Sequence, residues 1–221
     1  MTVTGLAGVL GMAARPYGLG GMALIVLFVI QSEVRFGARA RSSRAEGTDR
    51  SSSLVLTLTT LVPVVGFIFA MKTSPTAAAG WRSLLFGESL PGLPTLAWAA
   101  FAVGLAGLAL RLWGVLTLRE RYTRTLLIQG EHPVERGGPY RLVRHPGYLG
   151  SLVCLNSLAL TSGSAPVFAA SLVATLAGYA YRIRAEDRML VEALGEPYAQ
   201  YRREVSALVP FLRPGPKAPA A

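Results

Sequence analysis

Apolar residues in this chain gather into long runs separated by short polar, basic stretches, and strict alternation is absent. Residues 17–34, 54–71 and 95–118 each supply close to the ~20 consecutive apolar positions that a helix needs to cross a bilayer core. Residues 148–161 and 166–181 are shorter and flank Ser162-Gly163-Ser164, so they read as a tilted helical hairpin. From Arg182 the pattern turns amphipathic, with Ile183, Met189, Leu190 and Leu194, then Tyr198, Tyr201 and Val205, set among Glu, Asp and Arg. That periodicity predicts a helix at the membrane surface, broken near Gly195–Pro197. The expected fold class is all-α: a polytopic bundle of about five transmembrane helices, with a cytoplasmic C-terminal helix capping it. Residues 1–118 supply the first three spans, and residues 119–221 the hairpin and the cap.

Within the runs, Pro63 should kink the second span, and Gly104 and Gly107 permit close helix packing in the third. Between them, Met1–Ala14 reads as an interfacial segment because it is short, Gly-interrupted and without a basic start. Ala38-Arg39-Ala40 imitates a cleavage site, but the spans that follow favour an uncleaved anchor. Arg35–Ser53 reads as a solvated linker and Thr73–Leu93 as a loop with interfacial aromatics. Arg119–Arg144 reads as an irregular segment folded onto the membrane face.

Composition agrees with membrane residence: of 221 residues 52% are hydrophobic and 15% charged, and the mean hydropathy is +0.43. The net charge of +10 raises the question of nucleic acid, but topology explains it. Residues 35–53, 119–144 and 182–221 hold 18 of the 22 Lys+Arg, the asymmetry expected if those stretches and the C-terminus are cytoplasmic in a multi-pass protein of the cell membrane. No aromatic platform interleaves with the arginines, so no nucleic-acid partner is expected. Cys154, the single cysteine, suits helix packing, and the two histidines, His132 and His145, lack the companions that a metal site needs.

Two basic segments carry the candidate chemistry. Gly138-Pro-Tyr-Arg-Leu-Val-Arg-His-Pro-Gly-Tyr-Leu-Gly150 is a polar turn that runs into an apolar helix. Pro146 fits the first helical position, and the amides after it, with Arg141, Arg144 and His145, could receive an anion or simply anchor the helix at the interface. In Arg182-Ile-Arg-Ala-Glu-Asp-Arg-Met-Leu190, Arg182 and Glu186 share a helix face with Asp187 on its flank. This spacing suits a solvated ion pair as well as a site. The hairpin would bring the two segments side by side. Arg111, inside the third span, either faces a wet cavity or reaches back to the interface.

Gly138-Pro-Tyr-Arg-x-x-Arg-His-Pro-x-Tyr-x-Gly150, Arg182-Ile-x-x-Glu-Asp-x-x-Leu190 and Leu194-Gly-x-x-Tyr-x-x-Tyr-x-x-x-Val-x-x-x-x-Pro210 together resemble the isoprenylcysteine carboxyl methyltransferases, integral membrane enzymes similar also to the phospholipid N-methyltransferases. The resemblance implies a cytosol-facing pocket for S-adenosyl-L-methionine, closed by the C-terminal helix and open sideways to the lipid for a lipophilic acceptor. It assigns Tyr140, Val143, His145, Pro146, Tyr148 and Leu149 to the cofactor, with Arg144 near its carboxylate. Asp187 stands on the cofactor side where the family usually has glutamate. Arg182 and Glu186 would face the acceptor and the methyl group as the catalytic pair. A carboxylate acceptor would need no general base, whereas an amine or hydroxyl would need one, with Glu186 the nominee. Carboxyl methylation of an isoprenylcysteine-like acceptor is therefore expected, with phospholipid amine methylation next. A nicotinamide-dependent membrane reductase of the sterol type and a non-catalytic accessory protein are the readings from other classes.

Overall fold

A computed structural model describes residues 16–36, 47–72, 93–118, 134–162 and 164–210. They form six α-helices and one 3-10 turn, with no strand among them: α1 (Pro16–Phe36), α2 (Gly47–Lys72), α3 (Leu93–Leu118), the 3-10 turn Gly138–Arg141, α4 (Pro146–Thr161), α5 (Ala165–Leu194) and α6 (Glu196–Glu204). The segment Met1–Ala14, the loop 73–92, His132-Pro133 and the tail Pro214–Ala221 lie outside the described residues, as do Ala38–Ala40 and most of 119–144 before Val134.

Two helices, Trp98–Leu118 and Ala165–Leu194, are long and apolar enough to cross a membrane, and Gly20–Ser32 and Leu54–Ala70 are shorter apolar helices. Their outer faces are as apolar as their inner ones. Val26, Val29, Leu58, Val65, Phe69, Val103 and Val173 all point outward, a surface suited to lipid contact. Inside, Leu24, Phe67, Leu108, Cys154 and Leu158 form one buried cluster, and Leu152, Leu155 and Tyr179 a second. Phe28 packs against both.

Two boundaries differ from the expectation. The polar stretch Gly47–Ser53 begins α2 instead of belonging to the linker, since an adjoining apolar helix supplies the nucleus that a polar run lacks by itself. The amphipathic stretch from Arg182 is no separate helix but the second half of the 30-residue α5. Nothing between Ala180 and Leu194 breaks a helix, and the break falls at Gly195, whose φ of 63° few other residues adopt. Pro63 lies within α2, which continues as one helix on both sides of it.

α3 and α4 form the most extensive contact in the bundle, α2 lies along α5, and α1 packs on α3 and α4. At the α3–α4 crossing the two backbones touch. A Cβ built on Gly150 would lie 2.7 Å from the amide nitrogen of Arg111 and 2.9 Å from its Cβ, and would overlap the carbonyl of Gly107. Neither backbone can yield without moving its helix. Gly150→Val is therefore expected to lower stability by ~1–3 kcal/mol or more, read as a lower melting temperature of the purified protein, whereas Arg141→Ala, at an exposed position, should leave it unchanged. Farther along, Asn156 stitches the hairpin, donating to Thr175 Oγ1 at 2.9 Å and accepting from Ser171 at 3.1 Å, a bond type suited to apolar surroundings.

Candidate active site

The site grows from one end of the hairpin, where the start of α4 meets the second half of α5. Pro146 occupies the first turn of α4 and His145 precedes it. The amides of Tyr148 and Leu149 both donate to the His145 carbonyl, at 3.1 and 3.0 Å, so this turn closes on its own backbone. The amides of Arg144 and His145 are also committed: they donate to the carbonyls of Ser206 (2.8 Å) and Ala207 (3.1 Å). The polar turn is thus laced to the chain leaving α6. Of its three basic residues Arg141 is exposed, whereas Arg144 and His145 are buried.

One cluster joins α4 to α5 through Tyr148. The Arg182 Nε donates to the Tyr148 hydroxyl at 3.0 Å, and that hydroxyl donates to Glu186 Oε2 at 2.6 Å. Arg182 is 2% exposed, the largest fully buried side chain in the molecule's described part. Residues four apart on one helix face are here both tied to a single phenol across the hairpin. The His145 ring stacks on Tyr148 with centroids 5.4 Å apart and 13° between planes, the Tyr179 ring is tilted against Tyr148 with centroids 5.5 Å apart, and His145 Nδ1 lies 3.8 Å from Glu186 Oε2. Glu186 keeps 24% of its side chain exposed.

A second cluster centres on Asp187. Its Oδ1 accepts from the Tyr198 hydroxyl at 2.7 Å and faces His145 Nε2 at 3.1 Å, and its Oδ2 accepts from Arg144 Nη2 at 2.9 Å. An ionised carboxylate can only accept, which assigns the hydrogen on this bond to His145 Nε2. Arg144 Nη1 also donates to the carbonyls of Arg202, at 3.0 Å, and Val205. Arg144 is thus a clasp between α5 and the end of α6. Tyr201 completes the clasp, donating to the Tyr140 carbonyl at 2.7 Å. Burial, and after it the charge of and bond to Asp187, push the Tyr198 hydroxyl above the ordinary tyrosine range, and burial does the same for Tyr201 against the pull of Arg144. Both remain donors at neutral pH.

The structure therefore brings Tyr148, Arg182 and Glu186 into one cluster and Arg144, Asp187 and Tyr198 into another, with His145 touching both. Tyr140, Val143 and Pro146 are buried beside them, and Leu149 is half-buried. Tyr198 and Tyr201 were legible only as positions on an amphipathic face and in a Tyr-x-x-Tyr spacing. Their partners lie on another helix and on a main-chain carbonyl. Among the described residues, no group of three or more His, Cys, Asp or Glu could hold a metal ion.

This arrangement can be set beside known proteins. The chain is 34% identical over 134 residues to the cobalt-zinc-cadmium resistance protein CzcN of Cupriavidus metallidurans, a match covering 59% of this chain and 58% of that protein. It is 36% identical over 74 residues to methanethiol S-methyltransferase 1 of Bradyrhizobium diazoefficiens, covering 34% and 25%. With a probable protein-S-isoprenylcysteine O-methyltransferase of Oryza sativa it shares 28% identity over 152 residues, covering 67% and 76%. The matches thus span little more than half the length of the first relative and a quarter of the second. Residues 99–192 match the model of the isoprenylcysteine carboxyl methyltransferase family. That match takes in most of α3, the 3-10 turn, α4 and nearly all of α5, the elements that carry the first cluster, while Tyr198 of the second cluster lies beyond it on α6.

Proposed function

We propose that the chain is a five-span membrane methyltransferase of the cell membrane, with its site at the cytoplasmic end of the hairpin and with a lipophilic carboxylate, of the isoprenylcysteine kind, as its acceptor. The observation that carries this reading is the buried Arg182 held by the Tyr148 hydroxyl, with Glu186 on the same phenol. A guanidinium fixed in this way, where the apolar half of α5 gives way to its polar half, offers a planar fork to a carboxylate that arrives from lipid.

The side chains fit S-adenosyl-L-methionine. The half-buried Glu186 offers a negative charge to a sulfonium or ammonium, and Arg144 Nε is a buried donor without a hydrogen-bond partner among the described residues. Tyr140, Val143, Arg144, His145, Pro146, Tyr148, Leu149 and Asp187 would hold the cofactor, Arg144 and Asp187 acting as the wall that joins α5 to α6. When bound, it supplies an electrophilic methyl group. Arg182 aligns the acceptor, which is already ionised at neutral pH, so no side chain need take a proton from it. Tyr148 and Glu186 hold Arg182 in place, and the apolar helices around them exclude water.

A thiolate acceptor is the second reading, supported by the stretch shared with methanethiol S-methyltransferase 1; Arg182 would meet it as a charge. Methyl transfer to a prenylcysteine analogue, to a small thiol and to phosphatidylethanolamine, assayed side by side, is expected to favour the prenylcysteine. Calorimetric titration is expected to give saturable binding of S-adenosylhomocysteine and none of NADPH. Binding of NADPH alone would overturn the methyltransferase reading in favour of a reductase, and binding of neither would favour an accessory protein.

A further inference from the structure

On the face of α4 that meets α3 lies a second polar group that the proposed chemistry does not use. Arg111 stands seven residues before the end of α3, about 10 Å along the helix, inside a stretch apolar enough to cross a membrane. Its Nη1 donates to Ser151 Oγ at 2.6 Å and its Nη2 reaches Ser32 Oγ at 3.5 Å, while its guanidinium carbon sits 5.0 Å over the Phe28 ring. Every one of these partners is neutral. No carboxylate among the described residues pairs with it, unlike Arg144 with Asp187 or Arg136 with Glu204.

Two buried atoms here have no hydrogen-bond partner among the described residues: Arg111 Nε and Gln31 Oε1. Gln31 is oriented by its amide nitrogen, which donates to the Leu108 carbonyl at 3.0 Å, one turn from Arg111. Leaving a charge uncompensated and a donor unmade in apolar surroundings is costly. Intramembrane arginines accordingly mark places where an anion is met. The surroundings also suit an amphiphile, since Phe28 below the guanidinium continues into the apolar cluster of Leu152, Leu155 and Tyr179.

We infer that Arg111, Ser151, Ser32 and Gln31 form a binding site for the anionic headgroup, carboxylate or phosphate, of a membrane amphiphile between α1, α3 and α4. Arg111 Nε and the serine-held guanidinium bind the headgroup oxygens. Gln31 Oε1 takes a hydroxyl of the headgroup, or its proton where one remains. Phe28 meets the first carbons of the tail. The site uses other side chains than the Arg182 cluster, although Phe28 and Tyr148 border the same apolar cluster, and binding there does not depend on methyl transfer.

The test is binding of defined lipids to the purified, delipidated full chain in a neutral detergent, followed by native mass spectrometry. The probes are oleate against monoolein, and dioleoylphosphatidylglycerol against dioleoylphosphatidylcholine. The wild type is expected to prefer at least one anionic member of these pairs by tenfold or more. Arg111→Gln should abolish that preference, and Ser151→Ala, which removes one of the bonds holding the guanidinium, should reduce it several-fold. Preference for phosphatidylglycerol alone identifies a resident lipid, and preference for oleate identifies a fatty carboxylate, the chemistry an acceptor would share; either supports the site. Equal binding of both members of each pair by the wild type overturns the proposal, as does a preference that survives in a folded Arg111→Gln protein. Should Arg111→Gln fail to fold, an unchanged preference in Ser151→Ala overturns it as well.

Discussion

Replacing Arg182 by alanine is expected to lower methyl transfer by ~100-fold or more, the range seen when a single charge-aligning donor is removed from a reaction centre. The effect is read as the rate of methyl-ester formation on a prenylcysteine analogue. Arg182→Lys should recover only part of the rate, because an ammonium restores the charge but not the planar fork that grips two oxygens. Arg182→Ala also removes the donor to the Tyr148 hydroxyl, which itself donates to Glu186. With Glu186 partly exposed, that structural loss is about 1–3 kcal/mol. S-adenosylhomocysteine binding and the melting temperature separate the two effects. A protein that melts near the wild-type temperature, binds S-adenosylhomocysteine and yet makes no ester places Arg182 on the acceptor. Activity within about threefold of wild type would remove it from the reaction.

The second large effect is expected from Asp187→Asn. Arg144, His145 and Tyr198 all direct donors at this carboxylate, and an amide replaces one accepting oxygen with a donor that faces donors. The charge on buried Arg144 then lacks its counterpart, and losses of about 3–5 kcal/mol are usual when one partner of a buried pair is removed. The loss should fall on the clasp and not on the whole bundle. Amide exchange across residues 196–207 is expected to quicken at least ~100-fold, as a loss of this size allows, with new proteolysis near the exposed Gly195, while α3 and α4 keep their protection. Arg203→Ala, which removes only the exposed pair with Glu196, should change exchange little. Exchange in Asp187→Asn that matches the wild type would show that α6 is held without the Asp187 carboxylate, by the Tyr201 bond and the main-chain bonds at Ser206 and Ala207.

The contrast between Arg182 and Arg144 shows what the sequence makes legible. Both arginines stand beside apolar helices in segments that resemble one family. Periodicity and Pro146 locate the start of α4, and the i to i+4 spacing of Arg182 and Glu186 puts them on one face, so the first cluster could be anticipated once the hairpin was recognised. The clasp could not. Arg144 spends two of its bonds on the carbonyls of Arg202 and Val205, and a main-chain acceptor leaves no trace in residue identity. Asp187, read as a flank position, turns out to be the point where three elements are tied, because the turn at Gly195 folds Tyr198 back onto it. The continuity of α5 was hidden for a related reason: a change from apolar to amphipathic pattern marks a change of surroundings, which a helix can pass through unbroken.

Under the proposed function, that continuity couples the bilayer to the Arg182 cluster. α5 is one unbroken helix from Ala165 to Leu194, which joins its apolar half to the Arg182–Asp187 segment. A membrane thicker or thinner than the apolar half must tilt or shift the helix, carrying Arg182 and Glu186 past Tyr148, which is anchored on a different helix. On that reading hydrocarbon thickness sets the spacing of Arg182 and Glu186 against Tyr148, and lipid chain length would reach the proposed chemistry without any lipid entering the site.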